Sequence, residues 1–381
     1  MISSSATRPI PKPQWQETFS HAGRFLMALV GLVITSGAER NGALREPLAE
    51  SSQVAVDAQH ESASIEWIRA GKNTPRWAWG IRGHLMWGLA PPTGKPNDGP
   101  RGLIRIRYPV LPDGQEDLLN FIAVEPIVNG RKHYSELEPS QLDDLQGKRF
   151  WVARPPVTAG HGDAWQAGRL TRCDMGVESL EVQVQVERFL HGAHVWLTIR
   201  QRSDLPDELQ LTVHAHPDSA PMDYCILTAT MGNKARARHL WLDDRVVSSL
   251  DLYPDYREAA FTDHRLFPLD QLFQNAAGDV LVAITTDEQD PSMIEPFPRR
   301  THWYYGGFPV TQYWRKPAGF WRDDLHVAVN ARYTYWMSKQ PIPGGISYEN
   351  FELRERFYDA QRFHFGITTD PGTSRPQIMR D

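Results

Sequence analysis

Tyr134, Glu136 and Glu138 stand at alternate positions in Arg131-Lys-His-Tyr-Ser-Glu-Leu-Glu-Pro139. Were the segment extended, the three side chains would share a face, with the two carboxylates roughly 7 Å apart. Glycoside-hydrolysing acid pairs use that kind of spacing. One carboxyl protonates the leaving oxygen and the other activates water or attacks carbon. Glu125, just upstream, is a third candidate carboxylate. A solvated loop rich in acids beside Ser and Pro is the plainer account of the same residues.

Two imidazoles follow in His214-Ala-His216-Pro-Asp218. On one strand face they could hold a metal, or act as a general acid and a donor to sugar hydroxyls. No third ligand is identifiable from spacing, so no metal or cofactor is assigned. Glu349, in Ser347-Tyr-Glu-Asn-Phe-Glu-Leu353, falls on the same side as Phe351 under strict alternation. Burial there would raise its pKa, as a general acid requires. A turn carboxylate bonded to backbone amides explains it equally well.

Aromatic residues crowd two Gly-rich stretches. One holds Trp77, Trp79, His84 and Trp87; the other holds Trp303, Tyr304 and Tyr305, followed by Trp314. Flat rings beside glycines suit stacking on the C–H faces of sugars, although loops that cap a β core also use them. Gly-x-Ser-x-Gly, the phosphate-binding Gly-rich loop, Cys-x-x-Cys and His-Glu-x-x-His do not occur, which counts against serine hydrolases, kinases, zinc fingers and zincins.

These groups need a scaffold, and the alternation supplies one. Val182, Val184 and Val186 alternate with polar residues in Leu180 to Phe189, and the period-two pattern resumes in Val195 to Arg200 and in Leu209 to His216. Short polar connections make these three strands an antiparallel meander. His214 and His216 then fall opposite Leu209, Leu211 and Val213, away from the core. Further strands are read at 103–108, 120–125, 227–230, 239–242, 279–284, 325–336 and 362–368, with Asp113-Gly114 as a turn. Residues 251–274 read as irregular or partly helical. With no repeat and no long amphipathic helix, the fold class is all-β, a large antiparallel β-sandwich or supersandwich with few short helices.

The chain of 381 residues has a net charge of -5 and 13 Trp. Its pI of 6.3 offers no basic field, so nucleic acid is not an expected partner. Phe25 to Ile34 is apolar but too short to span a bilayer, and Ser36-Gly37-Ala38 follows with small residues. Residues 1–38 read as a secretory signal cleaved after Ala38, or else as a buried N-terminal helix. Residues 39–64 read as a linker or frayed segment, and 65–381 as a single domain. Export would place the chain in the periplasm or outside the cell, with no stable membrane span once the signal is removed. Cys173 and Cys225 could pair there or remain two buried thiols.

The hairpin from Val195 to Pro217 resembles a central hairpin of galactose-mutarotase-like β-supersandwich proteins. In that group a strand, a polar turn and a second strand ending near a functional His line a sugar-binding face. The resemblance implies a saccharide ligand and matches His216 to the family's His, while no motif aligns a partner glutamate. The expected function is therefore an exported glycoside hydrolase acting on a poly- or oligosaccharide. Glu125, Glu136, Glu138, His216 and Glu349 are its candidate chemical groups. The aromatic residues, His84 and His214 are its candidate contacts to sugar. A glycan-binding module without turnover and a lyase or epimerase using His with Tyr134 or Tyr305 are the alternatives. All of these readings expect one trough that gathers the acids, imidazoles and rings.

Overall fold

The computed structural model describes residues 65–71, 78–90, 101–111, 113–152, 168–231, 235–288, 306–335, 339–369 and 374–380. The signal and linker readings, and Trp77, Trp303, Tyr304 and Tyr305, lie outside the described residues.

The chain opens with β1 (Trp67–Ile68), β2 (Ala78–Ile81), β3 (Met86–Gly88), β4 (Leu103–Tyr108) and the long β5 (Asp117–Val128). Short strands β6 (Arg131–Lys132), β7 (Phe150–Val152) and β8 (Arg169–Arg172) lead to the meander β9 (Glu178–Val186), β10 (Val195–Arg202) and β11 (Leu205–Ala215). Next come β12 (Tyr224–Thr230), β13 (Ala237–Trp241), β14 (Val246–Ser248) and the single turn α1 (Ser249–Leu252). Strands β15 (Arg265–Pro268), β16 (Phe273–Gln274) and β17 (Val280–Thr286) follow, and then β18 (Thr311–Lys316), β19 (His326–Arg332), β20 (Ser347–Arg354) and β21 (Gln361–Thr368). Among the described residues no helix is long and apolar enough to cross a membrane.

Every pairing between these strands is antiparallel, as short connections require. One ladder runs β1-β2-β3-β4-β5-β12-β20-β19-β15. The other starts with β7 and β8 on one edge of β9 and continues β10-β11-β21-β18-β17-β13-β14. They meet at β20, where Tyr348 pairs with Ala237 of β13.

Alternate residues of both ladders form one apolar core. Ile104, Ile122, Val124, Leu227, Phe351 and Leu353 of the first ladder share it with Val184, Leu197, Leu211, Val282, Phe363 and Phe365 of the second. The result is an all-β sandwich. Trp314 sits at its centre, fully buried, with Phe351 of the first ladder and Phe363 and Phe365 of the second around its ring. Its indole Nε1 donates to Phe351 O at 3.0 Å.

Two local expectations are corrected. Residues 135–138 form a turn rather than a strand, with Glu138 N donating to Tyr134 O at 3.0 Å. Glu136 and Glu138 therefore do not share a face. In β20 the register slips: Asn350 faces Asn330 and Tyr348 faces Ala331, leaving Glu349 as an extra residue. The bulge puts Tyr348 in the core with Phe351, which strict alternation had placed on opposite sides.

Candidate active site

The site stands on the outer face of the first ladder. Because Ile122 and Val124 point into the core, Glu125 of β5 points outward. Thr228 of β12, Glu352 of β20 and Lys132 of β6 complete the same surface. Asn129 and Gly130 link β5 to β6, both at positive φ (50° and 71°), as a tight hairpin turn requires. That turn sets Lys132 opposite Ile127 and folds its side chain back to pair with Glu125. Thr228 Oγ1 donates to Glu125 Oε2 at 2.7 Å.

The turn after β6 is pinned to the sheet by Ser135, which is fully buried. Ser135 N donates to Val124 O at 3.1 Å, and its Oγ accepts from Val124 N at 2.9 Å. Gly102 lets the strand pass beneath: a Cβ there would sit 2.0 Å from Ser135 O. So held, the turn keeps Tyr134 and Glu136 within electrostatic reach of Glu125, Lys132 and Glu352. Tyr134 is exposed, with Lys132 Nζ 5.0 Å from its ring centre.

The three carboxyls differ in charge. Burial pushes Glu125 up to about 7, with the Glu352 charge adding to it against the pull of Lys132. Burial likewise pushes Glu136 up to about 8, reinforced by Glu125. Burial also acts on Glu352, which has no exposed surface, but Arg354, Lys132 and His264 outweigh it and hold that carboxyl below its ordinary value. Arg354 Nε donates to Glu352 Oε1 at 2.7 Å, and His264 Nε2 lies 3.7 Å from the same oxygen. Burial lowers the His264 imidazole. Glu136 is the half-buried member of the trio, and its Oε2 has no hydrogen-bond partner among the described residues. Burial and the neighbouring acids thus favour the protonated form of Glu136, while Arg354, Lys132 and His264 favour the ionised form of Glu352.

The other expected residues are placed elsewhere. Glu138 is bound by Lys148 Nζ at 2.8 Å, by Leu190 N at 2.6 Å and by His133, and these partners draw it below its ordinary value despite burial. It is a brace for the turn. Glu349 is buried at the bulge, where its carbonyl accepts from Met231 N at 3.0 Å. Trp79, Trp87 and Trp314 are core residues, the first two stacked 4.6 Å apart, and they present no face to a ligand. His84 is half-buried, its Nδ1 3.1 Å from Asp207 Oδ1. His214 and His216 do point away from the core, but from the second ladder. Among the described residues they therefore do not share a face with the carboxylates of the first ladder. Lys132, His264, Arg354 and Thr228 escaped the reading of the chain, because their approach depends on pairing between β5, β12 and β20 that no local pattern carries.

The two cysteines are unpaired, Cys173 exposed and Cys225 buried. Comparison of the chain with protein families, with curated proteins and with solved structures gave no match.

Proposed function

We propose that this chain is a carbohydrate-active enzyme of the glycoside hydrolase type, working from the outer face of the first ladder. The supporting observation is half-buried Glu136, whose Oε2 lacks a hydrogen-bond partner among the described residues and whose carboxyl burial raises, in one cluster with Glu125, Lys132 and Glu352. Glycosidic cleavage asks for a pairing: a neutral carboxylic acid protonates the leaving oxygen while negative charge stabilises the cationic sugar that develops. Glu136 is the group that meets the glycosidic oxygen. Glu125 behind it, and Glu352 held by Arg354, are positioning residues that keep its proton on until transfer. Tyr134, exposed at the rim, provides a ring against which a sugar face can lie. Burial raises the Tyr134 phenol, which argues against its use as the base of a lyase. Export through residues 1–38 belongs to the same proposal, with a mature chain beginning at Glu39.

The test incubates the full chain with a panel of poly- and oligosaccharides. Reducing ends should appear, the rate should fall as pH rises through about 8, and Glu136→Gln should lose roughly a hundredfold or more in turnover. Retardation of a glycan gel without change in glycan size would show binding alone. Ultraviolet absorbance from an unsaturated product would show elimination instead. No product and no glycan retention, with Glu136→Gln indistinguishable from the parent, would remove the reading.

A further inference from the structure

The outer face of the second ladder carries a separate constellation. His194 precedes β10 and His216 follows β11, so the hairpin brings them side by side, with His216 N donating to His194 O at 2.9 Å. Their rings stack at 3.9 Å with planes 22° apart. Asp218, in the next turn, places Oδ1 2.8 Å from His194 Nδ1. One ring nitrogen of each histidine and one Asp218 oxygen all lie within 4.8 Å of one another.

Neighbouring groups prepare these three as ligands. Gln185 Oε1 lies 3.0 Å from His216 Nε2, and an amide oxygen only accepts. Nε2 therefore carries the proton and Nδ1 keeps its lone pair. Ser219 Oγ accepts from His194 N at 2.9 Å and fixes the turn that presents Asp218. His214 takes no part: it stacks on Trp196 at 3.9 Å. The chelating partner of His216 comes from the facing strand, not from the His-x-His pair.

We propose that His194, His216 and Asp218 form a site for a zinc-class divalent cation. Two imidazoles and one carboxylate suit Zn²⁺, Co²⁺ or Ni²⁺ and not Mg²⁺ or Ca²⁺, which favour oxygen ligands. As the metal takes His194 Nδ1, the proton there moves to Nε2, so neutral imidazole and carboxylate keep their charges. Ligands around tetrahedral zinc stand roughly 3.3 Å apart, from metal–ligand bonds of about 2 Å. The exposed Asp218 and the half-buried rings close the difference by side-chain rotation. Arg188 Nη1, 3.4 Å from Asp218 Oδ2, is exposed and swings away. With three protein ligands the metal keeps an open position toward solvent.

The test is calorimetric titration of the chelator-stripped full chain with ZnCl₂ and, separately, MgCl₂. Visible spectra with Co²⁺ report the ligand field. The parent should bind an equivalent of Zn²⁺ that His216→Gln lacks, and Asp218→Asn should weaken it by about tenfold or more. Mg²⁺ should give no saturable heat. The Co²⁺ complex should show intense visible bands that the variants lose. Asp218 is exposed, so Asp218→Asn decides the matter if His216→Gln does not fold. Equal Zn²⁺ binding by parent and Asp218→Asn, or equal preference for Mg²⁺, would overturn the site.

Discussion

A carboxyl whose charged form burial disfavours changes stability with pH in a sense that can be worked out. Glu125 and Glu136 bind their protons more tightly in the folded chain than at the ordinary value of 4.5. Their favourable contribution is therefore complete below about 4.5 and is lost as pH rises through about 7 and 8. We expect the melting temperature of the parent to fall between pH 5 and pH 9. Glu136→Gln, which cannot ionise, should flatten that fall and melt higher than the parent at pH 9. Parallel melting curves for the two proteins across this range would contradict the assignment. Glu125 and Glu136 were legible in the chain because they flank one polar hairpin. Glu352 was not readable as part of the site, since what lowers its pKa is Arg354, Lys132 and His264, two of them far away in the chain.

At the scale of elements, β11, β18 and β21 are tied by a charged network on the outer face of the second ladder. Burial raises Glu208, but His364 and Arg315 outweigh it and lower this carboxyl to about 2. Arg315 Nε donates to Glu208 Oε2 at 3.1 Å, and the Tyr313 hydroxyl donates to the same oxygen at 3.0 Å. The stability this carboxylate supplies is present above its ordinary value of 4.5 and is lost as pH falls through about 2. Glu208→Gln should cost about 3–5 kcal/mol at neutral pH, since it leaves Arg315 half-paired in a buried place, and the deficit should shrink in acid. Chemical denaturation at pH 7 and pH 3 measures both. Beside it, Gly366 faces Tyr313 across β18 and β21, and a Cβ on it would sit 2.1 Å from the ring. Gly366→Ala should destabilise by about 1–3 kcal/mol in the same assay, by overpacking. The alternation of valines and leucines made β9, β10 and β11 readable, because a period of two needs no knowledge of the partner strand. The bulge at Glu349 was not readable, because β19 sets that register from outside. The tryptophans misled for a related reason: Trp79 and Trp87 sit beside glycines that let strands approach closely, and such glycines look the same in sequence as those of a binding loop.

For the whole molecule, the sandwich depends on contacts that cross between ladders. Trp314 packs against rings of both ladders, and Asn120 Nδ2 donates to Gln312 Oε1 at 2.5 Å, both groups buried. Trp314→Ala should cost about 3–5 kcal/mol, while Trp314→Phe should cost less although it gives up the bond to Phe351 O. Equilibrium denaturation of the two variants checks the order. The acid face and the histidine face are built on different ladders, so substitutions at Glu136 and at Asp218 should act independently on turnover and on metal affinity. The disposition of the two thiols supplies a gauge of breathing. Cys225 lies on β12 one residue from the partner of Glu125, and burial raises its pKa, so a thiol reagent can reach it only when that part of the sheet opens. Cys173 reacts at once and calibrates the reagent. The slow second phase then clocks, in the unlabelled native chain, how often the floor beneath the acids comes apart.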